Sequence, residues 1–111
     1  MVNTNYFSGI VKILEAPKEF SLNSKIQGTS FRVEVPQKRK NSVVLVLIWG
    51  NLGRDVQKFY KQKDYILIEG YTSFQFNKLS QLTPKTSKQV HITVVKIYPI
   101  LLNPDRTSPK R

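Results

Sequence analysis

Few side chains in this sequence can do chemistry beyond charge and stacking. His91 is the only histidine and there is no cysteine, so neither a thiolate zinc site, a thiol nucleophile nor a disulfide framework can be assembled. The acidic residues Glu15, Glu19, Glu34, Asp55, Asp64, Glu69 and Asp105 form no spaced carboxylate pair. None is set with His91 as a Ser-His-Asp relay or a metal cage would require. Gly50-Asn51-Leu52-Gly53 lacks the third glycine and the βαβ setting of a dinucleotide fingerprint. These absences argue against an enzyme, a metal or a cofactor, and His91, within an alternating apolar run, reads as structural. Positive charge is what the chain has in excess: 18 Lys and Arg against 7 Asp and Glu give a net charge of +11. Lys38, Arg39 and Lys40 are consecutive, and Arg32, Lys78, Lys85 and Lys88 add to them. Like charges this close repel unless they are solvated or neutralised by a partner. Solvation suffices for any single lysine, but the cluster favours a phosphate-rich polymer or an acidic protein surface.

Those cations must be carried by elements, and the pattern supplies mostly strands. Phe7, Val11 and Ile13 share one face of a strand over Tyr6 to Leu14, with Ile10 and Leu14 on the other, so cover on both sides is expected for part of its length. Glu15 to Gly28 reads as a long connection anchored by Phe20, Leu22 and Ile26. Phe31, Val33 and Val35 alternate with Arg32 and Glu34 in a second strand, Thr29 to Val35, and Pro36 stops it. Ser42 to Gly50 is nearly all apolar, as suits a central strand. Leu52, Val56, Phe59 and Tyr60 then recur at helical spacing, predicting a short amphipathic helix capped near Asn51. A fourth strand runs from Asp64 or Tyr65 to Phe76 and a fifth from Gln89 to Tyr98, after which Pro99, Pro104 and Pro109 are expected to break the chain. Phe7, Phe31 and Phe59 are expected in the core. Phe74 and Phe76 alternate with Ser73 and Gln75 beside Asn77, a setting too polar for a deep core, so a ligand or an oligomer partner would explain them.

The 111 residues allow one domain, predicted to occupy 1–102 with a flexible basic tail over 103–111. Val43 to Trp49, the longest apolar run, is far short of the roughly 20 residues of a membrane helix, so no membrane insertion is expected. Met1 to Tyr6 shows no secretory signal. The chain reads as soluble and intracellular. Five strands with one short helix between strands 3 and 4, without βαβ alternation, predict an all-β, five-stranded barrel of the oligonucleotide/oligosaccharide-binding (OB) type.

The stretch from Ser42 to Ser73 is more specific. Val43-Val44-Leu45-Val46-Leu47-Ile48-Trp49-Gly50-Asn51-Leu52 precedes the helix, and Lys61-Gln62-Lys63-Asp64-Tyr65-Ile66-Leu67-Ile68-Glu69-Gly70 follows it. It resembles the bacterial and organellar single-stranded DNA-binding protein family: an apolar strand ending in aromatic-Gly-x-Leu, an amphipathic helix with a lysine-rich turn, and a strand finished by Glu-Gly. Ser30 to Val35 is similar to the family's second strand, and the short length is most like the plastid and cyanobacterial branch. The resemblance implies an OB-fold protein that binds single-stranded DNA in replication or repair. Trp49 stands where the family stacks a base, and Tyr71, Phe74 and Phe76 stand on the arm that carries further aromatics. Arg32, Lys38, Arg39, Lys40, Lys78, Lys85 and Lys88 lie on the loops and strand flanking that face. It also implies a homo-oligomer, dimer or tetramer, and a plastid stroma, with a bacterial cytoplasm as the alternative. Three departures stand out. The arm's usual tryptophan would fall near Asn77, the glycine after the helix is Lys63, and the sequence ends in Pro109-Lys110-Arg111 rather than an acidic tip. The missing acidic tip and the displaced tryptophan favour another reading, an OB barrel turned into an assembly subunit with acidic protein partners, while small size and basic charge also suit an RNA-binding or ribosome-associated protein.

Overall fold

Alternation in the strand sequences closes a barrel around one apolar interior. The computed structural model describes residues 5–21, 23–77 and 87–104, with the backbone alone for 74–77 and 87–89. The elements are β1 (Tyr6–Ile13), β2 (Lys18–Ser21), β3 (Gln27–Val35), β4 (Ser42–Trp49), α1 (Asn51–Phe59), β5 (Tyr65–Asn77) and β6 (Ser87–Leu101). The sheet order is β1-β5-β6-β4-β3-β2, and β1 pairs back onto β3 through Lys12–Glu34 and Ile13–Val33. All pairings are antiparallel except β4 with β6. This is the predicted five-stranded OB barrel, with β2 as an extra strand on the edge of β3 and the helix between β4 and β5.

Every second residue points inward, as the pleat requires. Val11 and Ile13 from β1, Phe31 and Val33 from β3, Val44, Val46 and Ile48 from β4, Ile66 and Ile68 from β5, and Ile92 and Val94 from β6 are buried, and Val56 of α1 plugs one end. Gly70 is required by a close approach: a Cβ there would collide with the Thr93 carbonyl oxygen. The β5–β6 register shifts at Glu69/Gly70, which bends the ladder where the barrel must curve.

Several expectations change. Within the expected connection Glu15 to Gly28, Lys18–Ser21 pairs with Gln27–Ser30 as β2, Ile26 is exposed rather than an anchor, and Leu22 lies outside the described residues. Ile10 is exposed, so β1 is not covered on both sides. Phe7 and Tyr60 pack only partly buried against the core. Phe59 is 63% exposed instead of packed. The helix ends there, and Tyr60, in extended backbone, turns its ring onto the core in its place; this burial raises the Tyr60 phenol above its ordinary pKa. Asn51 is the first helical residue, and the N-cap is Gly50 at φ 73° with no side-chain cap. Lys63 adopts φ 75°, so it takes the left-handed turn despite its Cβ. Pro99 does not break β6, which continues to Leu101. It pairs with Ile66 at a register shift, and β4 lies alongside only His91 to Thr93, so the missing N–H costs no ladder bond on the other edge.

One carboxylate ties the ends of these elements together. Asp64 is fully buried; its Oδ2 accepts the Lys61 N–H at 2.8 Å and its Oδ1 the Asn103 N–H at 2.7 Å. Its carbonyl accepts the Ile13 N–H at 2.8 Å, and the Lys63 N–H donates to the Ile13 carbonyl at 2.8 Å. The expected tail boundary at 103 thus begins with a bound residue, while 105–111 lie outside the described residues. Asp64→Ala would leave two part-buried donors without their acceptor. It should lower unfolding free energy by about 1 to 3 kcal/mol in urea titrations, less than the loss of two fully buried hydrogen bonds would cost.

Candidate nucleic-acid interface

The outward residues of β3, β4, β6 and β5 fall into register across the sheet. Arg32 stands beside Leu45, Leu45 beside His91, and His91 beside Ser73. One step along, Ser30, Leu47, Thr93 and Tyr71 form a second row. Gly28 pairs with Trp49 at the far end of β4.

Trp49 is not a core residue. It is 37% exposed, and its ring meets that of Phe20 edge to face with centroids 5.2 Å apart. Gly28 makes this possible, because a Cβ there would come within 2.8 Å of Phe20 and 2.9 Å of Trp49. The two rings therefore form a flat-sided aromatic group at the end of the β3–β4 face, suited to stacking. Phe20 is the member that the sequence left ambiguous: Lys18–Ser21 is too short for its alternation to register as a strand. A shallow crevice beside it, between β2, β3 and the start of α1, is lined by Glu19, Gln27, Thr29, Arg54 and Gln57.

Lys38, Arg39 and Lys40 are exposed on the β3–β4 loop, at the opposite end of β4 from Trp49. At about 3.3 Å per residue this puts them roughly 20 Å from Trp49, with Arg32 on the face between. Arg32 is engaged: its Nε and Nη2 donate to Glu15 Oε1 at 3.3 and 3.1 Å, and its backbone N–H donates to Glu15 Oε2 at 3.0 Å. The hydrogen bond to Arg32 is the main cause that lowers the Glu15 carboxyl below its ordinary range. The pair therefore persists at neutral pH and is lost only as acid protonates Glu15 through that lowered pKa.

Tyr71 belongs to a different group. Exposed at 43%, it packs edge to face on Tyr6 at 5.4 Å, three strands around from β3. The Tyr6 hydroxyl donates to Glu69 Oε1 at 2.8 Å, which holds that phenol protonated above its usual range. Ile10 and Tyr98 are exposed on the same outer face, opposite Leu67 of β5. The backbone of Phe74 pairs with Val90 and that of Phe76 with Lys88 on the β5–β6 arm. Lys78 and Lys85 lie outside the described residues. The structure thus gathers Trp49, Arg32 and the Lys38–Lys40 loop on one face and sets Tyr71 apart from Trp49.

No family model matches this sequence. A curated relative, "Putative single-stranded DNA-binding protein ycf41" of Trieres chinensis, is 32% identical over 103 residues, 89% of this chain and 91% of the relative. Among solved structures, a small single-stranded DNA-binding protein from Streptomyces coelicolor superposes with a TM-score of 0.74 at 14% identity, covering 90% of this chain and 97% of its own. The single-stranded DNA-binding domain of a Synechococcus sp. protein gives 0.67 at 18%, covering 88% and 98%. The second such protein of Mycobacterium smegmatis gives 0.64 at 22%, covering 86% and 87%. The solved structures share the fold, and the relative shares the sequence over nearly its whole length: this chain belongs to the single-stranded DNA-binding protein family, of the kind represented by ycf41.

Proposed function

We propose that this chain is a non-catalytic single-stranded DNA-binding protein of replication and repair, and that the strand lies along the outer face of β3 and β4. The observation that carries this reading is the exposed Trp49 ring, set against half-buried Phe20, on the same sheet face as Arg32 and the Lys38–Lys40 loop, in a chain 32% identical to the ycf41 relative. Bases stack on the rings while the cations displace counterions from phosphates. Phe74, Phe76, Lys78, Lys85 and Lys88 are proposed as further contacts of the strand on the strength of the sequence. Placement in the plastid stroma is supported by the ycf41 relative and by a sequence rich in Lys, Asn, Ile and Phe, as an AT-rich genome favours.

Titration with oligo-dT tests the reading, followed by Trp49 fluorescence and by anisotropy of labelled DNA. Saturable binding that prefers single strand to duplex and weakens with salt is expected; no binding at low salt would overturn it in favour of an assembly subunit. Trp49→Ala should weaken binding about 5- to 150-fold, from a stacking contribution of about 1 to 3 kcal/mol. Changing Lys38, Arg39 and Lys40 together to Gln should flatten the log–log salt slope by about two. Phe74→Ala and Phe76→Ala should weaken binding without unfolding the domain, and unchanged binding in both would remove the arm from the track.

Glu15 competes with phosphate for Arg32. Glu15→Gln should therefore tighten oligo-dT binding about two- to fivefold and steepen its salt dependence, while shifting stability by less than about 1 kcal/mol in thermal melts, because the pair is largely exposed.

We also propose that the protein self-associates through the outer face of β1, β5 and β6. Tyr6, Ile10, Tyr71 and Tyr98 are exposed together there, and β1 pairs with β3 only at Lys12 and Ile13, so much of its second edge has no strand neighbour among the described residues. Light scattering should give a whole-number multiple of the chain mass, and a monomer at micromolar concentration would refute this assembly.

A further inference from the structure

His91 is 6% exposed, and neither Nδ1 nor Nε2 has a hydrogen-bond partner among the described residues. Neutral imidazole carries one donor and one acceptor, and burying both unmet is unfavourable, so this group calls for an explanation. The strand pattern places the ring. Ile92 and Val94 point into the core, which puts His91 on the outer side of β6, in the row Arg32, Leu45, His91, Ser73. Its ring is therefore on the side of the sheet away from the core.

Resting on the DNA-binding reading above, we propose that His91 is a contact for the phosphodiester backbone of a single strand crossing β3, β4 and β6, and that its ring takes up a proton as the phosphate arrives. Among the described residues, the groups beside it in register are Leu45 with Val43 and Leu47 on β4, Ser73 on β5 and Thr93 on its own strand, while the Tyr71 ring packs on Tyr6 of β1 instead. None of these is a cation that would oppose protonation. The nearest charges along its row are Arg32 and its partner Glu15, two strands away. At strand spacing this is roughly 10 Å, about one Debye length at ordinary salt, and the two charges largely offset one another. An arriving phosphate would then lie nearer the ring than the charges of its row. It accepts a hydrogen bond from imidazolium and satisfies a nitrogen that is otherwise unmet.

The sequence makes the test clean, because His91 is the only histidine and there is no cysteine. Affinity for oligo-dT without terminal phosphates is measured from pH 8.0 to 5.5 at constant ionic strength, for the wild type and for His91→Gln, with circular dichroism melts to establish folding. The wild type should tighten about three- to tenfold more than His91→Gln across that range, as linkage to one proton allows. Parallel pH profiles would overturn the inference and leave His91 structural, whereas no binding by the wild type at any pH would overturn the DNA-binding reading with it. Should His91→Gln not fold, calorimetry of the wild type at pH 6.5 in two buffers of different ionisation enthalpy decides instead. Net proton uptake on binding supports the contact, and zero uptake refutes it.

Discussion

The buried carboxylate of Asp64 is the constraint on which the barrel depends. A charge-bearing group in an apolar interior is tolerated only when hydrogen bonds replace its water, and here the donors come from the turn after α1 and from the exit of β6, while its carbonyl holds the end of β1. Three elements far apart in sequence are thus fixed at one point. The Lys63 turn is strained for a residue with a Cβ, yet it persists because its N–H also bonds the Ile13 carbonyl. With this end closed, the strands emerge in fixed register and the outward rows of β3, β4 and β6 follow.

Those rows divide the surface by chemistry. One side presents Trp49, Phe20, Arg32 and the Lys38–Lys40 loop, a mixture of ring and cation that suits a polyanion with flat bases. The other presents Tyr6, Tyr71, Tyr98 and Ile10 with only scattered charge, a composition closer to that of interfaces between protein subunits. The same alternation builds both, because a barrel strand that fills the core with every second residue turns the others outward.

How much of this was legible depended on the length of each signal. Five strands, the helix and the barrel could be read because Ser42 to Trp49 and Tyr65 to Asn77 carry many apolar residues in unbroken periods. β2 could not, since four residues hold only two periods. Phe59 was misread because helical spacing assumes a helix long enough to use it, and this one ends at that residue. Pro99 read as a stop because a sequence does not show which strand edge is unpaired. The basic loop and Trp49 stood out by residue type alone. The Glu15–Arg32 pair, the Phe20 partner and the unmet nitrogens of His91 did not, for each joins residues brought together only by register or burial.

The narrowest parts of the sheet have a mechanical meaning. β2, β3 and β4 form one slab and β1, β5 and β6 another. They are stitched along one side by the three pairs from Leu45–His91 to Leu47–Thr93 and along the other by Lys12–Glu34 and Ile13–Val33. Each slab is internally well laddered, so the seams are where the barrel would part first under thermal motion. On the proposed path, a strand laid from Arg32 to His91 would cross one of these seams and act as a splint, coupling occupancy of the face to cohesion of the barrel.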